Sequence, residues 1–200
     1  MAQDELGHAR ALYPLLRSLM PDSGAEVEPE TRSVFESLVY VETPFAGWED
    51  FVAANFLVDT ALTVVFEAAR DSSFEALAAR SRKVVQEERM HFQHGEAWVR
   101  RMARQGDAVR AALTVSLNRA WDELLCWFGT PDSESLYSVD GTLDAPVSVL
   151  RQRFVDRVVP VLREESVAVP FVNSEVGTTW ILDHDLPWAT WDDSRGQLRG

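Results

Sequence analysis

Two Glu-x-x-His steps, Glu5–His8 and Glu88–His91, are the residues of this sequence whose types and spacing can do chemistry. Residues three apart on a helix project from one face, so each step aims a carboxylate and an imidazole at one point. Such a pair can hold a metal ion. The carboxylate chelates or bridges, and the imidazole is a neutral, firm donor to iron or manganese. Two antiparallel helices that each carry the step, with single acids from two other helices, build a two-metal site in helical bundles. The chain has 17 Glu and four His among 200 residues. Random placement gives about 0.3 such pairs, and two are present.

The surrounding pattern says where these steps face. Leu77, Ser81, Val84, Glu88, His91, Gly95, Trp98 and Met102 follow one another by fours and threes, which predicts a mainly apolar, inward stripe. A lone Glu and His on such a face are costly to bury without partners. Glu5 and His8 share a side with Leu12 and Leu15. The plain alternative for each pair is a surface Glu beside a His at the helix edge. Asp59 is the best further candidate, because it sits in the nearly apolar run Phe56–Phe66. An ionised Asp there needs a cation or strong hydrogen bonds, and an Arg from a neighbouring helix is the alternative to a metal. Glu67, nearer the helix end, is a weaker candidate. Glu87 points about 100° away from Glu88 and reads as solvated or paired. Each ligating His should give its outer ring nitrogen to an acceptor. For His8 that acceptor is expected from another helix rather than from Asp4.

The elements that must position these groups are mostly helices. The first runs from about Ala2 to Met20, carries Pro14 inside it, and closes at Pro21-Asp22-Ser23-Gly24. A short helix is predicted over about Pro29–Leu38, followed by a turn-rich connector at 43–47. A third spans about Trp48–Arg70 and a long fourth about Phe74–Arg104, with Ser72 or Ser73 as its cap. Gly106 reads as a left-handed stop. A fifth helix covers about Ala108–Phe128, a polar loop 129–145, and a last helix about Val147–Glu164, with apolar Leu150, Phe154, Val158 and Val161. Beyond Val169-Pro170 the chain is irregular and holds Trp180, Trp188 and Trp191, with short strands as one option.

Composition fits this reading. Hydrophobic residues are 46% and charged residues 26%, which describes a globular chain. A net charge of −13 argues against nucleic acid or an anionic membrane as partner. No apolar run approaches the roughly 18 residues of a membrane span, and the N-terminus lacks the apolar segment of a signal peptide. With Cys126 as the one cysteine, no internal disulfide or thiolate site can form, so a reducing cytoplasm is the expected home. In the apolar stretch Leu124–Phe128, Cys126 itself reads as a small core residue.

Four segments then carry a family resemblance: Gln3-Asp4-Glu5-Leu6-Gly7-His8, Phe56-Leu57-Val58-Asp59, Glu87-Glu88-Arg89-Met90-His91 and Leu150-Arg151-Gln152-Arg153-Phe154-Val155-Asp156. In order and context they resemble the catalytic A subunit of the ring 1,2-phenylacetyl-CoA epoxidases, over essentially the whole chain. The resemblance implies an all-α, ferritin-like bundle as a single domain over 1–200, with core helices about 2–128, an additional helix about 147–164 and an irregular Trp-containing tail 165–200. It implies a di-iron monooxygenase of phenylacetate catabolism that uses O2 to epoxidise the ring of an aryl-CoA thioester. Glu5, His8, Asp59, Glu88 and His91 match metal-ligand positions for two Fe ions, with Mn a possible substitute. It also implies a hetero-oligomer with a related structural subunit, and a separate NAD(P)H-dependent reductase. The chain itself shows no Gly-rich dinucleotide loop and no iron–sulfur cysteine set.

The sequence departs from that family in one respect. The family has a helix before the first Glu-x-x-His that supplies a sixth ligand, a Glu, and it extends past Trp191. Here the first helical pattern begins at residue 2, and three explanations stand: a longer or late-started chain, a partner that fills the gap, or an inactive copy. Glu36 and Glu42 are poor substitutes, since both lie near a connector. Two alternatives stand beside the oxygenase. One is a non-catalytic or degenerate structural subunit of such a complex, against which five retained ligand-type residues speak. The other is a plain ferritin-like iron-binding protein, which the 129–145 loop and the Trp-rich tail do not suit. Arg80, Arg82, Lys83, Arg89, Arg100, Arg101, Arg104 and Arg110 are basic residues that could meet CoA phosphates, with ordinary helix-surface charge as the alternative. His94 reads as a contact between helices or between protomers, and His184 as a surface residue.

Overall fold

The computed structural model describes residues 2–19, 37–174 and 179–199. Its helices are α1 (Ala2–Leu19), α2 (Val39–Glu42), α3 (Trp48–Ala68), α4 (Glu75–Ala103), α5 (Asp107–Asn118), α6 (Trp121–Trp127), α7 (Leu136–Val139) and α8 (Val147–Glu164). They form an all-α bundle with a Trp-rich tail. The loop expected at 21–24 and most of the helix expected at 29–38 lie outside the described residues. Ser37 and Leu38 are not helical and lead into α2.

The bundle is built around α3, which packs on α4, α5 and α8. Its sequence explains this. Val52, Ala53, Phe56, Leu57, Ala61 and Val64 are all essentially inaccessible to solvent, and the first turn carries Glu49 and Asp50, which complement the helix dipole. Contrary to the sequence expectation, α3 contains an 18-residue window of mean hydropathy 1.6, long and apolar enough by composition to cross a membrane. Of that window 61% is buried against the rest of the bundle, which makes α3 the central core helix. Buried Asp50 fastens its start. It accepts bonds from Ser116 Oγ at 2.7 Å and the Ala46 amide at 2.9 Å. The short α2 has no cap of its own; Glu123 of α6 accepts from the Val39 and Tyr40 amides at 2.8 and 3.0 Å.

Helix α4 turns the expected stripe inward at its centre, where Ser81, Val84, Glu88, His91, Gly95 and Met102 are buried. Toward the ends the buried positions shift to Ala78 and Val99, while Leu77 and Trp98 are half-exposed. A 3.6-residue helix drifts away from a strict four-three count in this way. Ser72 Oγ accepts from the Phe74 amide at 3.2 Å, but the cap position of α4 is Phe74 itself, with no side-chain cap bond.

Two expectations are corrected next to it. Gly106 does have positive φ, but at +134° with ψ 169° it is in the extended glycine-only region and opens α5 rather than forming a left-handed stop. The single helix expected over 108–128 is two. Asn118 interrupts it by donating to Ala168 O at 3.3 Å and accepting from Trp121 Nε1 at 3.1 Å, the kind of side-chain competition that ends helices. The loop 129–145 holds α7 and one turn of 3-10 helix, Pro131–Ser133. Helix α8 has the expected limits and buries Leu150, Phe154, Val158 and Val161.

The tail makes two antiparallel hairpins. Strands β1 (Phe171–Asn173) and β2 (Trp180–Leu182) pair Phe171 with Leu182, and β3 (Trp191–Asp192) and β4 (Gln197–Leu198) pair Trp191 with Leu198. Phe171 anchors the first by meeting Trp121 edge-on, with centroids 4.9 Å apart.

Gly95 lets α4 approach α3 closely. A Cβ there would lie 3.2 Å from the Phe56 Cα and 3.4 Å from Asn55 Oδ1. We therefore expect Gly95→Val to destabilise the fold by about 1–3 kcal/mol. At about 2–4 °C per kcal/mol for a chain of this size, a thermal melt should fall by several degrees.

Candidate metal centre

Helices α1 and α4 cross the bundle antiparallel, so the two Glu-x-x-His steps meet. Glu88 Oε1 lies 3.2 Å from His8 Nδ1 and 3.2 Å from His91 Nδ1. Glu5 reaches the same two nitrogens, with Oε1 3.1 Å from His91 Nδ1 and Oε2 3.6 Å from His8 Nδ1. Helix α3 brings Asp59 to the third side. Ligand-type atoms of Glu5, Asp59, Glu88 and His91 all lie within 4.8 Å of one another. His8 adjoins this set through its contacts to Glu88 and Glu5. Although these atoms are close, Glu5 Oε1, Glu88 Oε1 and His91 Nδ1 are buried and make no hydrogen bond. Buried polar atoms are almost always satisfied, so converging orphans of this kind mark a place shaped for a cation.

The outer ring nitrogens are held reciprocally. His8 Nε2 of α1 pairs with Glu87 Oε2 of α4 at 2.8 Å, and His91 Nε2 of α4 pairs with Asp4 Oδ2 of α1 at 3.3 Å. A proton on each Nε2, shared with its carboxylate, leaves the Nδ1 lone pair facing the centre. The acid just before each Glu-x-x-His step thus orients the histidine of the other helix.

Electrostatics point the same way. Burial, then the charge of Glu5, pushes the Asp59 carboxyl up to about 7 against the pull of the Asn55 amide. Burial, then Glu5 and Asp59, pushes Glu88 up to about 8, opposed by the Thr63 hydroxyl 3.5 Å away. The neighbour of Asp59 is Asn55, whose amide donates to it, and not the arginine weighed as the alternative. Among the described residues no Lys or Arg pairs with Asp59, Glu5 or Glu88 to offset the negative charge of this cluster, so protons or an added cation would do so. Carboxylates and imidazoles are the donor set that suits iron or manganese, so the residues present fit such a group.

The remaining expectations fall elsewhere. Glu67 is paired with Arg157 at 2.7 Å, outside the cluster. Glu42 is exposed and accepts from Ser37 Oγ at 2.9 Å, and Glu36 is outside the described residues. His94 is exposed against the edge of Trp98. His184 is at the surface but lies 2.8 Å from both Asp122 and Asp183. Burial pushes the Cys126 thiol up to about 12, which keeps it an unreactive core residue. The specific pairings of Asp4 and Glu87, and the support from Asn55 and Thr63, are what sequence reasoning missed. The signal for the first two was the repeated acid-Glu-x-x-His pattern, which becomes readable once α1 and α4 are set antiparallel.

Comparison with known proteins places this chain in a family. The family model described as phenylacetic acid catabolic protein matches residues 1–179. The chain belongs to the phenylacetic acid catabolic protein family. Within that family it is similar to the A subunit of 1,2-phenylacetyl-CoA epoxidase from Escherichia coli (strain K12), 28% identical over 180 residues. It is also similar to the C subunit of the same enzyme, 24% identical over 169 residues. Each match covers 84% of this chain, which spans 56% of the A subunit and 68% of the C subunit.

Because Asp59 and Glu88 are raised in the fold, ionising them works against folding. The penalty is absent below the ordinary carboxylate value of about 4 and grows as pH rises through about 7 and about 8. Metal-free protein should therefore melt lower at pH 8 than at pH 5.5, and divalent metal should raise the melting temperature more at pH 8. Glu88→Gln should raise the metal-free melting temperature at pH 8 by several degrees and abolish the metal-induced gain. Thermal melts across pH, with and without Mn(II), check this.

Proposed function

We propose that this chain is the metal-bearing, A-type subunit of a multicomponent di-iron oxygenase with a ferritin-like bundle. It uses O2 to epoxidise the aromatic ring of phenylacetyl-CoA or a related aryl-CoA thioester in the cytoplasm. The observation that carries the reading is the convergence of half-buried Glu5 and Asp59 on buried Glu88 and His91, with His8 beside them, in a chain of the phenylacetic acid catabolic family. Bound iron would supply the redox chemistry that dioxygen requires.

The roles of the chain's own residues follow from their contacts. Glu5 and Glu88 each face both histidine Nδ1 atoms and would join them in holding metal. Asp59 is steadied by Asn55 and offers a third carboxylate from α3. Asp4 and Glu87 hold the imidazoles in the tautomer that keeps Nδ1 free for a ligand. The apolar faces of α3 and α4 keep bulk water away from the site. Electrons come from a separate NAD(P)H-dependent reductase, and a related structural subunit joins the chain in a hetero-oligomer.

A second reading has its own support. The chain aligns with the C subunit over 84% of its own length and spans more of that relative than of the A subunit. It would then be a structural partner and not the metal carrier.

Metal stoichiometry decides between them. Anaerobic Fe(II) titration followed by metal analysis should give close to two ions per chain, and His8→Ala or Glu88→Ala should lower it to one or fewer. A well-folded protein that stays metal-free in excess Fe(II) would overturn the catalytic reading. With reductase and the structural partner supplied, His91→Ala should lower aryl-CoA-dependent O2 consumption by at least about 100-fold, roughly 3 kcal/mol of transition-state stabilisation.

A further inference from the structure

A row of aromatic rings runs in contact across one surface of the bundle. Tyr40 of α2 lies 6.4 Å from Phe45 of the connector, and Phe45 lies 6.2 Å from Phe51. Phe51 stacks on Trp48 at 5.0 Å, both on the first turn of α3. Trp48 meets the edge of Trp98 on α4 at 5.4 Å, and His94 adjoins Trp98 at 6.3 Å. Tyr40 is buried and roots the row, but Phe45, Trp48 and Phe51 are 41%, 51% and 36% exposed. Single exposed apolar residues are ordinary, whereas a contiguous apolar patch marks a contact surface. Aromatic residues and Arg are also those on which binding energy concentrates.

The row is held in place before any contact forms. The Ala46 amide donates to Asp50 Oδ2 at 2.9 Å and the Tyr40 hydroxyl to Asp50 O at 3.4 Å, which fixes the connector that carries Phe45. Trp48 and Phe51 stand one helical turn apart on one face. Little side-chain freedom remains to be lost on binding.

Charge is divided along the row. Exposed Glu42 and half-buried Glu49 lie on its α2–α3 half and make no ion pair among the described residues. Arg101 lies on the α4 half, its guanidinium 5.2 Å from the Trp98 ring centre, and has no carboxylate partner among the described residues. The other charges of that half, Glu96 and Arg100, pair with each other. A copy turned by 180° presents the opposite order of charge, which is the self-complementarity that a two-fold contact requires.

We propose that this aromatic face is where a second copy of the chain docks. The two rows lie antiparallel about a two-fold axis, and Arg101 of each copy meets Glu42 and Glu49 of the other. Three rings of about 150–250 Å² each, a third to a half exposed, offer about 250 Å² of aromatic surface. A stable interface buries roughly 800 Å² per partner, so the rim must supply the rest. The net charge of −13 on each copy opposes approach. The contact is therefore of micromolar strength. It is separate from the metal-centre reading, so metal content should be the same in every variant below.

Sedimentation equilibrium of the full chain across the micromolar range tests the contact. The average mass should climb from 22.5 kDa toward twice that value. Trp48→Ala and Phe51→Ala together should weaken association at least about tenfold, with helical circular dichroism unchanged. Arg101→Glu and Glu42→Arg, both at exposed positions, should each weaken it about threefold to tenfold. The two reversals combined in one chain should recover part of that loss, because each reversed charge again meets its opposite. A chain that stays monomeric throughout would overturn the proposal, as would a dimer that the aromatic variant leaves intact. A dimer lost in the aromatic variant but not recovered by the combined reversal would overturn the antiparallel arrangement. A monomeric chain that binds the structural subunit through Trp48 and Phe51 would give this surface to that subunit and overturn the second copy.

Discussion

The structure depends on three carboxylates and two imidazoles brought together between α1, α3 and α4, with Glu88 and His91 buried and Glu5 and Asp59 partly so. An apolar bundle tolerates such a group only if its charge is met. Here Glu5 Oε1, Glu88 Oε1 and His91 Nδ1 are out of water, close together and without hydrogen bonds. Among the described residues, no Lys or Arg side chain pairs with this cluster, and neighbouring groups hold its shape. Gly95 lets α4 come close to the α3 backbone, Asn55 holds Asp59, and acids at the outer edge hold both histidines.

Much of this was legible in the sequence for specific reasons. Glu88 and His91 interrupt a stripe that is otherwise apolar or small, and Asp59 interrupts a run that is nearly all apolar. Polar residues in such places stand out because burying them requires a partner. Glu5 and His8 were legible by their spacing, which repeats that of Glu88 and His91. The roles of Asp4 and Glu87 were not, because each acts on the opposite helix and depends on the register of α1 against α4. The division between α5 and α6 was hidden for a similar reason. No Gly or Pro marks it, and Asn118 makes it through a contact with Ala168, 50 residues along the chain. The apolar character of α3 was underread because Asp59 divides it by eye, although the helix as a whole is hydrophobic.

Helix α1 has one further property. Of its described side chains only His8 is fully buried, while Leu6, Leu16 and Leu19 remain exposed. Its apolar contact with the bundle is made by the half-buried Ala9, Ala11, Leu12, Tyr13 and Leu15, so the buried polar cluster is a large share of what it contributes. An ion bound there contributes RT ln(1 + [L]/Kd) to the closed form, about 4 kcal/mol at a thousandfold excess over Kd. On the metal-bearing reading proposed above, binding an ion and closing α1 onto the bundle become one equilibrium.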